Sequence, residues 1–389
     1  MTRRTCLTLA LLALLGGCGD SKSPNASSVG GSGTSGASGG TSSQSAGGTS
    51  SSSGGSGATA TSTGTTVDPS VMAVQPDVIN ELALDSSRVY WLEGHNRIMS
   101  IPLGGGTPSV VYASTTPGKY EALHIAVDAS RLYFTDQGVI LPPTKPRGVF
   151  SVPLDGSSDR TQLFTTTTVN SIAVDGGYLY FTANGSIARM PSSGGTATAL
   201  VRNIDIGTPL ALYGGYVYFW YAPDATFMQN VYRVSVDTNV GTLDQATGGT
   251  GGTGGANGTG GSGGTTGTAG YPAIAAEQIS NTTRYSELIL SPQVDQGYVY
   301  WAIYDEFYRW PVSGGTQEKF GVLSQGSVYM LLVDRGDIYW GAGSVQQFVV
   351  GGNSNTPVVT SSQGINAMAV NATDMYVGDG KLLRRVTRP

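Results

Sequence analysis

Cysteine and histidine are the scarcest of the chemically reactive residue types in this chain of 389 residues. The two cysteines, Cys6 and Cys18, both lie within the first 18 residues, and the two histidines are His95 and His124. A disulfide framework and a zinc site built from Cys and His are therefore excluded beyond residue 18. We expect no metal ion, and we expect packing alone to stabilise the folded part of the chain.

Charge is scarce as well, since only 12% of the residues are charged and the formal net charge is −5. No run of basic residues occurs, whereas proteins that bind nucleic acid cluster Lys and Arg on one surface. The sequence also has no glycine loop followed by Lys-Ser or Lys-Thr and no His-Glu-x-x-His motif. We therefore expect no nucleic-acid partner and no cofactor, and we assign no catalytic residue and no enzymatic activity.

The first 17 residues have the organisation of a signal peptide. Arg3 and Arg4 precede a largely apolar run at residues 7–15, which is too short to span a bilayer. The run ends in Leu15-Gly16-Gly17-Cys18, which resembles the lipobox of bacterial lipoproteins. The resemblance implies cleavage before Cys18, lipidation of its thiol and acylation of the new amine. Since an Asp directly after the Cys retains such proteins in the inner membrane and Gly19 stands there, we expect a lipid anchor in the outer membrane of a bacterial cell envelope.

Two segments consist almost wholly of Gly, Ser, Thr and Ala, namely residues 18–66 and residues 247–270. Such segments cannot bury enough apolar surface to offset the entropy lost on ordering. We therefore predict a disordered tether between the lipid and the folded domain, and a disordered loop inserted within that domain.

Residues 171–201 contain four short runs of strand-forming residues separated by turns of Gly, Asn and Asp. The second run holds an aromatic pair, and the pattern recurs along the chain. The pairs are Tyr90/Trp91, Tyr133/Phe134, Tyr180/Phe181, Tyr218/Phe219, Tyr300/Trp301, Tyr339/Trp340 and the degraded Tyr376/Val377. Successive pairs are 43, 47, 38, 82, 39 and 37 residues apart, and the longest interval contains the insertion at 247–270. A period near 40 with four strands per copy predicts an all-β, seven-bladed β-propeller over residues 67–389.

The repeats resemble those of the YWTD family of propellers, most closely at Tyr133-Phe134-Thr135-Asp136. Most copies lack the Thr-Asp half, and that family usually has six blades, so the resemblance implies a fold and no receptor function. The seventh copy ends after its third strand, at residues 382–387, and a surplus strand at residues 70–75 precedes the first copy. We predict that these two pair and close the ring. We predict that the aromatic pairs form the core, and that the Asp or Asn ending each first strand closes a turn.

One face of such a propeller carries the starts of the inner strands and the loops between second and third strands. Polar and aromatic residues concentrate there, and we take that rim as the candidate binding site. The candidates are His95, Trp220, Tyr221, Tyr304, Asp305, Glu81 and His124. The leading hypothesis is a lipid-anchored module, surface-exposed or periplasmic, that binds or scaffolds a protein or a glycan. The alternative is a propeller lyase or hydrolase that uses Glu81 and His124 at the mouth of the central channel.

Overall fold

The computed structural model describes residues 68–114, 122–136, 147–204, 209–221, 230–245, 276–281, 292–323, 328–341, 343–348, 355–361 and 363–388. These residues form a seven-bladed β-propeller of antiparallel sheets, which confirms the predicted fold. No helix long and apolar enough to cross a membrane occurs in this described part of the chain. The predicted signal peptide, the tether, Cys18 and the insertion at 247–270 all lie outside the described residues.

The strands, numbered along the chain, are β1 (Val71–Val74), β2 (Ile79–Leu84), β3 (Arg88–Glu93), β4 (Arg97–Pro102), β5 (Ser109–Ala113), β6 (Ala122–Val127), β7 (Arg131–Asp136), β8 (Gly148–Pro153), β9 (Thr161–Thr165), β10 (Val169–Asp175), β11 (Tyr178–Ala183), β12 (Ser186–Pro191), β13 (Ala197–Arg202), β14 (Ala211–Tyr213), β15 (Tyr216–Tyr221), β16 (Asn230–Ser235), β17 (Thr242–Leu243), β18 (Glu277–Gln278), β19 (Gln293–Asp295), β20 (Tyr298–Ile303), β21 (Glu306–Pro311), β22 (Glu318–Val322), β23 (Met330–Asp334), β24 (Asp337–Gly341), β25 (Ser344–Phe348), β26 (Asn355–Thr360), β27 (Ile365–Val370), β28 (Asp374–Asp379) and β29 (Leu382–Thr387). Blades 1 to 3 are β2–β5, β6–β9 and β10–β13, and blades 4 to 6 are β14–β16 with β18, β19–β22 and β23–β26. Blade 7 is β27, β28, β29 and β1.

Each aromatic pair links its blade to both neighbouring blades. Tyr90 and Trp91 are fully buried, and as consecutive strand residues they point to opposite faces of the sheet. Trp91 joins an apolar cluster with Tyr376 of blade 7, whereas Tyr90 joins one with Ile125 and Phe134 of blade 2. Burying one such ring contributes about 4–6 kcal/mol before conformational entropy is subtracted. All seven pairs are buried, so the predicted core role is confirmed.

Asp85 and Asp128, which follow the first strands of blades 1 and 2, close turns as predicted. Asp85 Oδ1 accepts hydrogen bonds from the main-chain N–H of Ser87 (2.6 Å) and of Arg88 (2.8 Å). Its Oδ2 accepts a 2.7 Å bond from the hydroxyl of Tyr90, the first member of the aromatic pair. Asp128 repeats the same arrangement in blade 2. These carboxylates therefore fasten the turn to the core.

The ring closes by pairing the two ends of the domain. Strand β1 runs antiparallel to β29, with Val71 opposite Arg384 and Val74 opposite Leu382. A second contact continues beyond β29, where the buried Arg388 forms an ion pair with Asp334 of blade 6. The final segment of the chain therefore bonds to β1 on one side and to the preceding blade on the other. The predicted closure is confirmed.

The 82-residue interval holds one blade, as the sequence indicated, because β16 and β18 are the third and fourth strands of the same sheet. The insertion at 247–270 falls between these two strands in the sequence. The short strand β17 adds a feature that the sequence analysis did not predict. It pairs with β13 and gives blade 3 a fifth strand, and Arg202 donates a 2.7 Å hydrogen bond to the carbonyl of Thr242.

Candidate functional site

The turns between second and third strands and the starts of the inner strands lie on the same face, which we call the upper face. His95 lies in the turn between β3 and β4, while Tyr304 and Asp305 form the turn between β20 and β21. Glu81 and His124 lie near the starts of β2 and β6, the inner strands of blades 1 and 2. The strand order therefore places these five predicted residues on the expected face.

Glu81 and His124 form a pair between blades 1 and 2. The Glu81 side chain is almost completely buried, its Oε2 lies 3.5 Å from His124 Nδ1, and it accepts a 3.1 Å bond from the N–H of Ile125. Burial raises the pKa of Glu81, although the hydrogen bond and charge of His124 and the Ile125 N–H oppose the rise. Both strands are bulged here, since the pairing register shifts between Ile79 and Glu81 and again in β6 beside His124.

His95 lies near this pair, so the chain's two histidines come together on adjacent blades. Its Nδ1 lies 3.1 Å from the carbonyl oxygen of Ala122, and since a carbonyl only accepts, Nδ1 carries the proton. Burial lowers the pKa of His95, and the nearby His124 lowers it further, while the Ala122 carbonyl and Asp77 act in the opposite direction. The arrangement holds His95 as a neutral ring against the start of blade 2.

Trp220 and Tyr221 do not lie in an exposed loop, which corrects the expectation from the sequence. Both belong to β15, where Trp220 pairs with Val231 and packs, partly buried, against the apolar cluster between blades 4 and 5. Tyr221 is buried, and its hydroxyl donates a 3.1 Å hydrogen bond to the carbonyl of Asn203. The strand continues two residues beyond the core pair Tyr218/Phe219, and Tyr221 is buried in the interior. Tyr221 is therefore no longer a candidate for the binding surface.

Three of the seven large apolar side chains that the described residues expose lie together on the upper face of blades 5 and 6. They are Tyr304 (44% exposed), Val322 (48%) and Tyr329 (55%), and we call them the upper-face patch. The N–H of Val328 donates a 2.6 Å bond to the carbonyl of Tyr304, which places Tyr329 beside that turn. Val322 pairs with Glu306, the residue that follows the turn. Sequence reasoning missed Val322 and Tyr329, because Val322 ends β22, Tyr329 precedes β23, and neither belongs to a recognisable motif.

Two turn residues on the upper face adopt the left-handed backbone conformation. Tyr304 and His95 have positive φ angles of 53° and 61°. Bulky residues are disfavoured in this left-handed region, where Gly and Asn are preferred. In blade 3 the equivalent turn is Asn184-Gly185, with φ angles of 49° and 68°. The ring of Tyr304 is therefore held on this face at a conformational cost that a glycine or asparagine turn avoids, whereas histidine is among the residues enriched at positive φ.

The buried carboxylates of the upper face are bound by cations of the same fold. Glu93 accepts 2.8 Å bonds at both oxygens from Arg97, Asp136 pairs with Arg160, and Arg384 Nε lies 2.8 Å from Asp379 Oδ2. No group of three or more Asp, Glu, His or Cys side chains suited to a metal ion occurs in the described residues. These acids therefore serve the structure, and the upper-face patch together with the Glu81–His124 pair remain as the candidate site.

No protein-family model matches the chain, and no curated protein matches it. Solved structures share the fold: YCF48 bound to a D1 peptide has a TM-score of 0.55 and 11% identity over 82% of this chain and 96% of that one. The WD40 β-propeller domain of Doa1 has a TM-score of 0.53 and 13% identity over 82% and 97%. An extracellular domain ascribed to a hybrid two-component system of B. thetaiotaomicron gives 0.54 and 11%, over 80% of this chain and 38% of that one. At these identities the likeness concerns the propeller fold alone.

Proposed function

We propose that the protein is a lipid-anchored binding module, not an enzyme, whose propeller holds a protein or glycan partner through the upper-face patch. The observation that carries the proposal is the exposure of Tyr304, Val322 and Tyr329 at one place on one face. Clustered exposed apolar side chains mark interaction sites, and tyrosine is one of the usual anchors of interfaces. The proposed site therefore lies on the solvent-exposed upper face of the propeller.

The fold and the face both suit this role. Propellers present a broad rigid surface, and the likeness to a propeller structure that holds a peptide supports capture of a partner by such a surface. The likeness to an extracellular domain agrees with a position outside the cytoplasm. We place the protein in the bacterial cell envelope, in the outer membrane, because Leu15-Gly16-Gly17-Cys18 has the form of a lipobox.

A library experiment tests the binding role without a known partner. The full chain is presented to a random-peptide display library and to a glycan array, and the double variant Tyr304→Ala/Tyr329→Ala is presented in parallel. The matched control is Tyr178→Ala/Tyr213→Ala. These tyrosines are 39% and 41% exposed and lie beside turns between first and second strands, on the face opposite to the upper face. We expect the wild type and the control variant to show saturable binding, and the Tyr304→Ala/Tyr329→Ala variant to show none. Equal binding by all three proteins, or none by the wild type, would overturn the proposal.

A second candidate function is acid–base catalysis at the channel mouth. It is favoured by the 3.5 Å approach of His124 to the buried Glu81, whose pKa burial raises. A raised carboxyl pKa beside an imidazole is suited to proton transfer near neutral pH. Turnover of a small molecule that is abolished by Glu81→Gln and by His124→Ala, but retained in Tyr304→Ala/Tyr329→Ala, would replace the binding proposal with this one.

A further inference from the structure

We infer that the upper-face patch binds a pyranose ring of a neutral glycan. The inference rests on the proposed binding function and names the chemistry of the partner. It starts from Tyr304 and Tyr329, which are 44% and 55% exposed. The bond from the N–H of Val328 to the carbonyl of Tyr304 brings their main-chain segments together. The C–H face of a sugar ring packs flat against an aromatic ring, and such contacts combine dispersion with weak C–H···π attraction.

The polar groups beside the rings suit hydroxyl groups. Asp305 follows Tyr304 directly and is partly exposed, and its carboxylate accepts hydrogen bonds. The tyrosine hydroxyls can both donate and accept. Main-chain bonds fix the turn, since the carbonyl of Asp305 accepts a 2.7 Å bond from Leu323 and that of Tyr304 accepts from Val328. A rigid turn that carries a ring and an acid therefore offers a sugar stacking and hydrogen bonding at once.

The local charge favours a neutral sugar over an acidic one. Asp305 and Glu306 are adjacent in sequence, and the nearby cation Lys319 lies 3.0 Å from Glu306 Oε1 in an ion pair. Glu306 also accepts a hydrogen bond from the hydroxyl of Tyr308. The formal net charge of the chain is −5, so its long-range field also repels anions. A uronic acid or a sulfated sugar would place a second negative charge beside Asp305.

The backbone favours a sugar over an extended peptide. Peptides that bind through their main chain add to the edge of a sheet and hydrogen-bond along it. Val322 ends β22, the outer edge strand of blade 5, but Tyr304 lies at the tip of the β20–β21 turn and Tyr329 precedes β23. The carbonyls of Tyr304 and Asp305 already accept bonds from the N–H groups of Val328 and Leu323. Side-chain contacts with rings and hydroxyls therefore have to supply the affinity.

The test uses the full chain and isothermal titration with cellohexaose, maltohexaose, xylohexaose and chitohexaose, together with a neutral glycan array. We expect at least one neutral oligosaccharide to bind, and Tyr304→Ala or Tyr329→Ala to weaken it at least tenfold. Asp305→Asn should weaken it less, because an amide still accepts one hydrogen bond. Tyr178→Ala/Tyr213→Ala serves as the control and should bind as the wild type does.

Thermal unfolding is measured for each variant, so that loss of the fold is recognised, and Tyr304→Phe provides a milder change that keeps the ring. Failure of every neutral sugar overturns the glycan inference. Peptide binding that depends on Tyr304 and Tyr329 would then leave the proposed binding function standing. If neither sugar nor peptide binds, both conclusions fall.

Discussion

At the residue scale, the buried carboxylate of Glu81 lowers the stability of the fold. Its carboxylate is buried between two blades, which disfavours the charged form, and three neighbouring interactions partly offset that cost. The His124 imidazole and the Ile125 N–H supply those interactions. Because the pKa stays raised, desolvation of the Glu81 carboxylate outweighs these favourable interactions.

The raised pKa of Glu81 predicts a pH-dependent effect of Glu81→Gln. Below the ordinary value of 4.5 the carboxyl group is protonated in both the folded and the unfolded chain, so it imposes no penalty. As the pH rises above 4.5, the unfolded chain ionises first and the wild type loses stability until Glu81 itself ionises. The Tm of the variant relative to the wild type should therefore increase between pH 4 and pH 7. Parallel Tm profiles would contradict the assignment of a raised pKa.

Trp220 and Tyr304 should respond differently to replacement by alanine, since only one of them packs in the interior. Trp220→Ala removes a partly buried ring from the cluster between blades 4 and 5 and should cost about 2 kcal/mol of unfolding free energy. Tyr304→Ala removes an exposed ring from a residue at positive φ and should change stability by less than about 0.5 kcal/mol. Chemical denaturation measures both. Equal losses would mean that Tyr304 is also a packing residue.

At the scale of elements, the strand β1 decides whether the ring is closed. Its residues complete blade 7, and Met72 and Ala73 pack against the cluster that joins blade 7 to blade 1. The loss of β1 would expose both this cluster and the unpaired edge of β29. The Arg388 contact with blade 6 is the other support of the last strand, and a strand held on both sides frays less readily than a free end.

Deleting residues 70–75 should therefore cost at least about 3 kcal/mol of stability, because apolar burial and a row of hydrogen bonds are lost together. The matched control is deletion of residues 247–270, which is a longer cut in a Gly-rich segment. Loop-closure entropy changes slowly with length, so this second deletion should alter stability by about 1 kcal/mol or less. Thermal unfolding compares the two. An unchanged Tm after removal of 70–75 would show that the closure contributes nothing.

At the scale of the whole molecule, the seven blades stabilise one another without a disulfide. Each sheet has two apolar faces, and a single sheet cannot bury both. The ring solves this by packing every blade between two neighbours, as the clusters around Trp91 and Tyr90 show. Since no cysteine occurs after residue 18, the propeller depends on this packing arrangement and not on disulfides.

Cys18→Ala should release the protein from the membrane or leave its signal peptide uncleaved. The sulfur of Cys18 is the proposed site of lipid attachment, and anchoring by acyl chains needs that covalent bond. Membrane fractionation, incorporation of labelled palmitate and intact mass measure the effect. Cys6→Ala is the control, because Cys6 lies within the predicted signal peptide. Unchanged mass and unchanged membrane partitioning in Cys18→Ala would refute the anchor.

Much of the fold could be predicted from the chain because each blade repeats a local signal. The aromatic pair, the turn after Asp85 and its equivalents, and the Gly turns recur at one period, and each reports strand structure nearby. The last strand was predicted at residues 382–387 and begins and ends at those residues. The short β17 was not predictable, since two residues carry no periodic pattern and bind to a blade other than their own.

The sequence by itself determined the number of blades, the core pairs, the ring closure and the face on which a site would lie, because these follow from periodic spacing. Only the tertiary structure decided which residues meet. Glu81 reaches His124 across a blade boundary, helped by bulges that shift the strand register, and a shift of one residue turns a side chain to the other face. A main-chain bond from Val328 brings the segment of Tyr329 beside Tyr304, while Tyr221 is buried. Such contacts join residues that are distant along the chain, and no local spacing encodes them.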